Sequence, residues 1–303
     1  MNKNKKRTGI HPNIHPNIHP NTHPNTHPTI HSTLRHVILV AILAALLCSC
    51  GTVAFTGRKQ MLLFSDNQIT ELSKSSYKEF MSSAKISSSK KDSQMLVQVG
   101  KRMTEALEAY LKKSGNEGVL SGLTWDYKLV ASKEVNAFCM PSGNIVFYEG
   151  ILQYANTPDY IAVVMGHEMA HAIAKHGNER MSQQAALNVL GSAAGEVIGS
   201  TKGTAAKKLF MAGFGMGSQV GILLPYSRKH EYEADRIGLY LMAIAGYDIE
   251  AAPKFWEKMA SKDETSGKEN SSQNDFFSTH PCDSKRIEAL REALPEARKY
   301  IGL

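Results

Sequence analysis

The sequence predicts an α+β fold, mostly helical, with a small β-sheet or hairpin flanking one apolar helix. Three observations lead there. Strand-like alternation is confined to "LTWDYKLVAS" and "NAFCMPSGNIVFYEGIL", within residues 123–152. Apolar residues at helical spacing dominate on both sides of that region. No strand–helix–strand alternation recurs, as a parallel α/β sheet would require.

The chain opens on a four-residue repeat, "HPNIHPNIHPNTHPNTHPTIH", running from His11 to His31. Histidine-rich tracts can bind metal, but proline at every fourth position blocks a helix, and the tract reads as low-complexity extension. "STLRHVILVAILAALLCSC" follows: a basic flank, an apolar run from Val37 to Leu47, then a small residue before a cysteine. The run is short of the roughly 20 residues a span needs and has the length of a signal-peptide core. Leu47-Cys48-Ser49-Cys50 resembles the bacterial lipobox, so residues 1–49 are expected to be removed and Cys50 lipidated. Acyl chains there would anchor the chain to a membrane, each buried methylene contributing about 0.8 kcal/mol. Residues 50–63 then read as a lipidated tether, and Gly51 in place of aspartate leans sorting toward the outer membrane. Cys139 and Cys282 remain, free to pair in an oxidising compartment.

The formal charge of +7 is concentrated in this leader, which holds Lys3, Lys5, Lys6, Arg7 and Arg35 and no acid. Beyond it, 30 basic residues meet 28 acidic ones. A mixed surface without a basic patch excludes nucleic acid as partner.

In the mature part, "SDNQITELSKSSYKEFM" opens a helix with Ser65 and Asp66, both good N-caps. A link, "SSSKKDS", leads to a second helix around Gln94 to Lys112, which "SGNEG" breaks. The two strands of "NAFCMPSGNIVFYEGIL" are joined by a turn at Pro141-Ser142-Gly143-Asn144. Helices follow at about Pro158–Lys175, from near Glu179, and at Arg228–Ala245, Glu250–Met259 and Asp283–Arg298. Residues 187–224 are apolar and rich in small residues. Glu196, Lys202, Lys207 and Lys208 interrupt them, so close helix packing over the active site is expected rather than a span. "SKDETSGKENSSQND" is polar and expected to be mobile.

The chemistry centres on "VVMGHEMAHAIAKH", Val163 to His176. Residues i and i+4 share a helix face, so His167 and His171 can bind one ion together. A catalytic zinc takes three protein ligands and a water, and Glu168 is close enough to act as general base on that water. Beyond the leader the chain has five histidines, His167, His171, His176, His230 and His280, and two of them fall in this motif. Chance is therefore a poor explanation. A third ligand is offered by "YSRKHEYEADRIGLYLMAIAG", where Glu231 and Asp235 share a helical face. Spacing alone leaves Glu233 as a competing ligand and His230 as a weaker one. A solvated acidic helix start is the bland alternative.

"HEMAH" followed by "SRKHEYEADRIG" resembles the HtpX-, BepA- and LoiP-type zinc metallopeptidases, relatives of the CAAX prenyl endopeptidases and the mitochondrial Oma-type proteases. "NAFCMPSGN" is similar to that family's N-A-F-x-x-P-G-G hairpin, with Ser142 replacing the first glycine. "STHPCDSKRIEAL" is similar to its T-H-P-x-x-x-x-R-I segment. The resemblance implies a gluzincin-type metalloprotease domain over residues 64–303 and one zinc held by His167, His171 and Glu231. It places Glu168 as catalytic base, with Asp235, His280 and Arg286 near the active site. It implies Asn136, Ala137 and Phe138 on a substrate-binding strand, beside which Arg286 is counted as substrate-side. His280 is expected as a gate or substrate-side residue, able to swing in and out or to donate to the oxyanion, not as a fixed fourth ligand. The implied partners are polypeptides, unfolded or misassembled envelope proteins. An assembly chaperone or scaffold with a structural zinc is the alternative, and a cell-wall amidase a weaker one.

Overall fold

The computed structural model describes residues 50–191, 227–265 and 284–303, together with Phe210, Phe276 and His280. The leader, the His-Pro repeat, most of the apolar stretch 187–224, the polar stretch beyond Thr265 and Cys282 lie outside the described residues. Among the described residues, no helix is long and apolar enough to cross a membrane.

The segment expected as a tether is folded. Strands β1 (Cys50–Thr52) and β2 (Lys59–Met61) form an antiparallel hairpin, with Gly51 opposite Gln60. Phe55 at φ 69° and Gly57 at φ 70° carry its turn. A left-handed conformation costs a non-glycine residue roughly 1–2 kcal/mol. Ring contacts of Phe55 with Tyr110, Tyr240 and Tyr300 offset that cost and dock the hairpin.

Helix α1 (Asp66–Ser83) begins at a capping box: the Ser65 side chain accepts from the Gln68 amide, and the Gln68 side chain accepts from the Ser65 amide. Helix α2 (Lys90–Lys113) starts earlier than its apolar spacing suggests, because the Ser89 hydroxyl caps the Asp92 amide and draws the polar link into the first turn. Its buried stripe of Leu96, Val99, Met103, Leu107 and Leu111 follows the helical period.

Strands β3 (Asp126–Val130), β4 (Ala137–Cys139) and β5 (Asn144–Tyr148) form one sheet in the order β3–β5–β4. β5 runs parallel to β3 and antiparallel to β4, which leaves β4 at an edge. Gly143, at φ 90°, makes the β4–β5 turn, and a Cβ there would lie 2.8 Å from the Thr124 carbonyl oxygen.

Helix α3 (Pro158–Ile173) is capped by Thr157, with proline at its first position. It is buried on nearly every side, so it is a core helix and not an amphipathic one. Helix α5 (Arg228–Ile244) crosses it with Gly166 against Gly238. A Cβ on Gly166 would sit 3.0 Å from the Gly238 oxygen, and one on Gly238 would sit 3.1 Å from the Gly166 carbonyl carbon. The two backbones touch, and that approach lets side chains from both helices reach one centre. Lys175, at φ 56°, then turns the chain sharply into α4 (His176–Gly191), which begins three residues before the expected Glu179. Helices α6 (Ala251–Thr265) and α7 (Ser284–Ala297) complete the described fold, and Trp256 is fully buried.

Candidate metal centre

α3 carries His167 and His171 one turn apart, α5 brings Glu231, and His280 enters from the chain before α7. His167 Nε2 lies 3.1 Å from His171 Nε2, 3.1 Å from His280 Nδ1 and 3.3 Å from Glu231 Oε2. Glu231 Oε1 lies 3.4 Å from His171 Nε2 and 3.2 Å from His280 Nδ1. All four residues are buried, and one ligand atom from each falls within 4.8 Å of the others. Ligands at about 2.0–2.1 Å from a tetrahedral zinc stand about 3.3–3.4 Å apart. The donor set and its spacing therefore fit a single zinc ion, with His280 Nδ1 among the four candidate ligand atoms.

The groups behind the ligands orient them. His167 Nδ1 lies 2.8 Å from Asp235 Oδ1, which turns Nε2 toward the centre. Burial lowers the His167 imidazole, but Glu231 and Asp235 outweigh it and hold it at about 9, a proton that a bound cation would displace. Burial lowers His171 well below its ordinary value, which leaves it neutral, as a ligand must be. Burial raises Glu231, but His280, Arg286 and His167 together keep it anionic.

Arg286, expected on the substrate side, is 1% exposed, with Nε 2.5 Å from Asp235 Oδ2 and Nη1 2.9 Å from Glu231 Oε2, and its guanidinium lies over the Trp256 ring. In this position it holds the carboxylates of Glu231 and Asp235.

Glu168 is buried, and its Oε1 makes no hydrogen bond among the described residues; His280 Nε2 stands 3.4 Å from it. Burial raises its carboxyl above the ordinary value, against the lowering effect of His280 and His167. β4 packs against α3, and the Cys139 backbone contributes a small lowering of the Glu168 carboxyl. Ala137 and Phe138 lie in β4, paired with Phe147 and Val146, and Asn136 directly precedes the strand. Cys139 itself is a buried free thiol.

A second polar cluster adjoins the first and was not assigned from the sequence. His176 Nδ1 lies 2.9 Å from His171 Nδ1, and its Nε2 lies 3.0 Å from Glu233 Oε2. Arg58 of the hairpin bonds Glu233 and Glu179, and His230 Nε2 lies 3.0 Å from Glu179 Oε2. Glu233 therefore faces away from the centre, toward α4 and the hairpin. All five histidines beyond residue 50 fall in these two clusters, a concentration that their rarity could have signalled.

The sequence pattern of peptidase family M48 matches residues 98–294. The mitochondrial metalloendopeptidase OMA1 of Schizosaccharomyces pombe is 36% identical over 182 residues, 59% of this chain and 49% of the relative. The human mitochondrial metalloendopeptidase OMA1 is 30% identical over 246 residues, 80% of this chain and 46% of the relative. The beta-barrel assembly-enhancing protease of Escherichia coli is 27% identical over 176 residues, 57% of this chain and 35% of the relative. The chain thus spans about half the length of these curated relatives, and about a third of the bacterial one. Matched over residues 98–294, more than half of its length, the chain belongs to peptidase family M48.

Proposed function

We propose that the protein is a zinc-dependent metalloendopeptidase, anchored in a bacterial envelope through lipid on Cys50, that cleaves unfolded or misassembled envelope proteins. The observation that carries this reading is the convergence of His167, His171, Glu231 and His280 beside the buried Glu168. Zinc held there supplies Lewis acidity, polarising a peptide carbonyl and lowering the pKa of water. Glu168 takes the proton of the attacking water and returns it to the departing amine. His280 either occupies the inward position and silences the site or swings out and donates to the developing oxyanion.

Substrate binding follows from the edge strand. An extended polypeptide adds to β4 through main-chain bonds, which favours unfolded chains over particular side chains. The packing of β4 against α3, the helix that carries Glu168, brings such a strand past the base. The lipobox at Leu47–Cys50 and the similarity to an E. coli protease named for β-barrel assembly support an outer-membrane, periplasm-facing location.

Casein digestion by the wild type and by Glu168→Gln tests the reading, since loss of cleavage with zinc retained is expected only of an enzyme. A chaperone or scaffold would keep its envelope phenotype in Glu168→Gln cells. Fractionation of Cys50→Ala tests the anchor: release from the membrane, or an unprocessed precursor, is expected.

A further inference from the structure

The hairpin that follows the candidate lipidation site reaches the interior of the domain. Arg58 Nε lies 2.6 Å from Glu233 Oε2, and its terminal nitrogens lie 2.9 and 2.7 Å from the two oxygens of Glu179. The Thr56 hydroxyl donates to the other oxygen of Glu233. Glu233 is thereby fixed with Oε2 toward His176 Nε2.

The direction of the hydrogen bonds then follows from chemistry. Glu233 is an acceptor, so His176 carries its proton on Nε2 and leaves Nδ1 as an acceptor. His171 Nδ1, 2.9 Å away, must donate to it, which leaves the lone pair of His171 on Nε2, the atom within the metal cluster. Each metal histidine on α3 thus has a carboxylate behind it: Asp235 directly for His167, and Glu233 through His176 for His171. The sharp turn at Lys175 returns His176 against His171.

Without Arg58, Glu233 and Glu179 would lose the cation they share. Glu233 would then be free to turn away from His176, which removes the partner that fixes the tautomers of His176 and His171.

We propose that Arg58 is a positioning residue that orients the second metal histidine through Glu233 and His176, so that the segment next to the membrane anchor completes the active site. The proposal rests on the zinc-peptidase reading above. Loss of partners that orient a metal histidine typically costs 10–100-fold in metal affinity. Arg58→Ala should weaken zinc at least about 10-fold by competition with a chromophoric chelator. Glu233→Gln and His176→Ala should weaken it by a similar factor. Cobalt-substituted Arg58→Ala should show altered visible d–d bands, and Arg58→Lys, which can satisfy one carboxylate at a time, should fall between the two. Lys59→Ala, an exposed neighbour on the same hairpin, serves as the unchanged control.

A lower melting temperature for Arg58→Ala, with zinc affinity and cobalt spectrum like the wild type, would reduce Arg58 to a structural staple and overturn the proposal. If Arg58→Ala does not fold, Glu233→Gln, which keeps the shape but replaces one acceptor oxygen and the charge by an amide, decides by the same two readouts. Failure of the wild type to bind zinc or cleave casein would instead sink the peptidase reading, which separates the two outcomes.

Discussion

Replacing Asp235 by asparagine probes the centre without changing its shape. In the wild type, Oδ1 is 2.8 Å from His167 Nδ1 and 2.9 Å from Arg286 NH2, and Oδ2 is 2.5 Å from Arg286 Nε. Three N–H groups thus point at two anionic oxygens. Asparagine offers one oxygen and an amide nitrogen, which must face either His167 or Arg286, donor against donor. Arg286 also loses one of its two anions, though Glu231 remains 2.9 Å away. Removing one partner of a buried pair outright costs about 3–5 kcal/mol, so a smaller loss is expected with Glu231 still in place. For zinc, the loss of the orienting carboxylate should cost 10–100-fold in affinity, about 1.4–2.7 kcal/mol. Chelator competition at neutral pH measures the second quantity, and urea unfolding of the zinc-free protein measures the first. Zinc affinity within twofold of the wild type, alongside reduced stability, would refute the claim that Asp235 acts on the metal through His167.

Other substitutions separate the roles of neighbouring residues. His280→Ala should retain zinc through the remaining three ligands and change casein turnover, upward if the histidine silences the site and downward if it stabilises the oxyanion; unchanged zinc and turnover would remove it from the site. Glu179 is raised by burial, but His230 and Arg58 lower it to about 2 from an ordinary value near 4.5, so it adds stability above about pH 4.5 that is lost as pH falls toward 2. The urea-unfolding difference between the zinc-free wild type and Glu179→Gln should accordingly be full at pH 7 and shrink below pH 4.5; a constant difference down to pH 3 would contradict this. Gly238→Ala places a methyl 3.1 Å from the Gly166 carbonyl carbon and the His167 nitrogen, and overpacking of about 1–3 kcal/mol should outweigh a helix-propensity gain of up to about 1 kcal/mol. Urea unfolding should show a net loss, and a gain would mean the helices separate freely at their crossing.

Much of this was legible in the chain because it is local. Ser65 announces a helix start through a hydrogen bond to the residue three positions on, and Ser89, Thr157 and Ser227, not read as caps from the sequence, cap their helices in the same way. The i, i+4 spacing of His167 and His171 placed both on one face. Spacing could not choose among the acids of α5. That choice is made in three dimensions, where Glu231 and Asp235 face α3 while Glu233, two residues from Glu231, faces the opposite cluster. Arg58 is separated by 121 residues from Glu179 and by 175 from Glu233, and no periodicity reports such a contact. The same holds for the parallel pairing of β3 with β5, which the turn chemistry of the β4–β5 hairpin does not encode.

The most direct test is a zinc titration of the chelator-stripped mature domain, followed by casein cleavage. The four-residue cluster fits one ion, so cleavage should be absent without zinc and rise linearly to one equivalent per chain. It should then plateau, and Glu231→Ala should give no rise over the same range. Cleavage that survives complete removal of metal, or that Glu231→Ala regains at one equivalent, would contradict the assignment of this centre as the catalytic one.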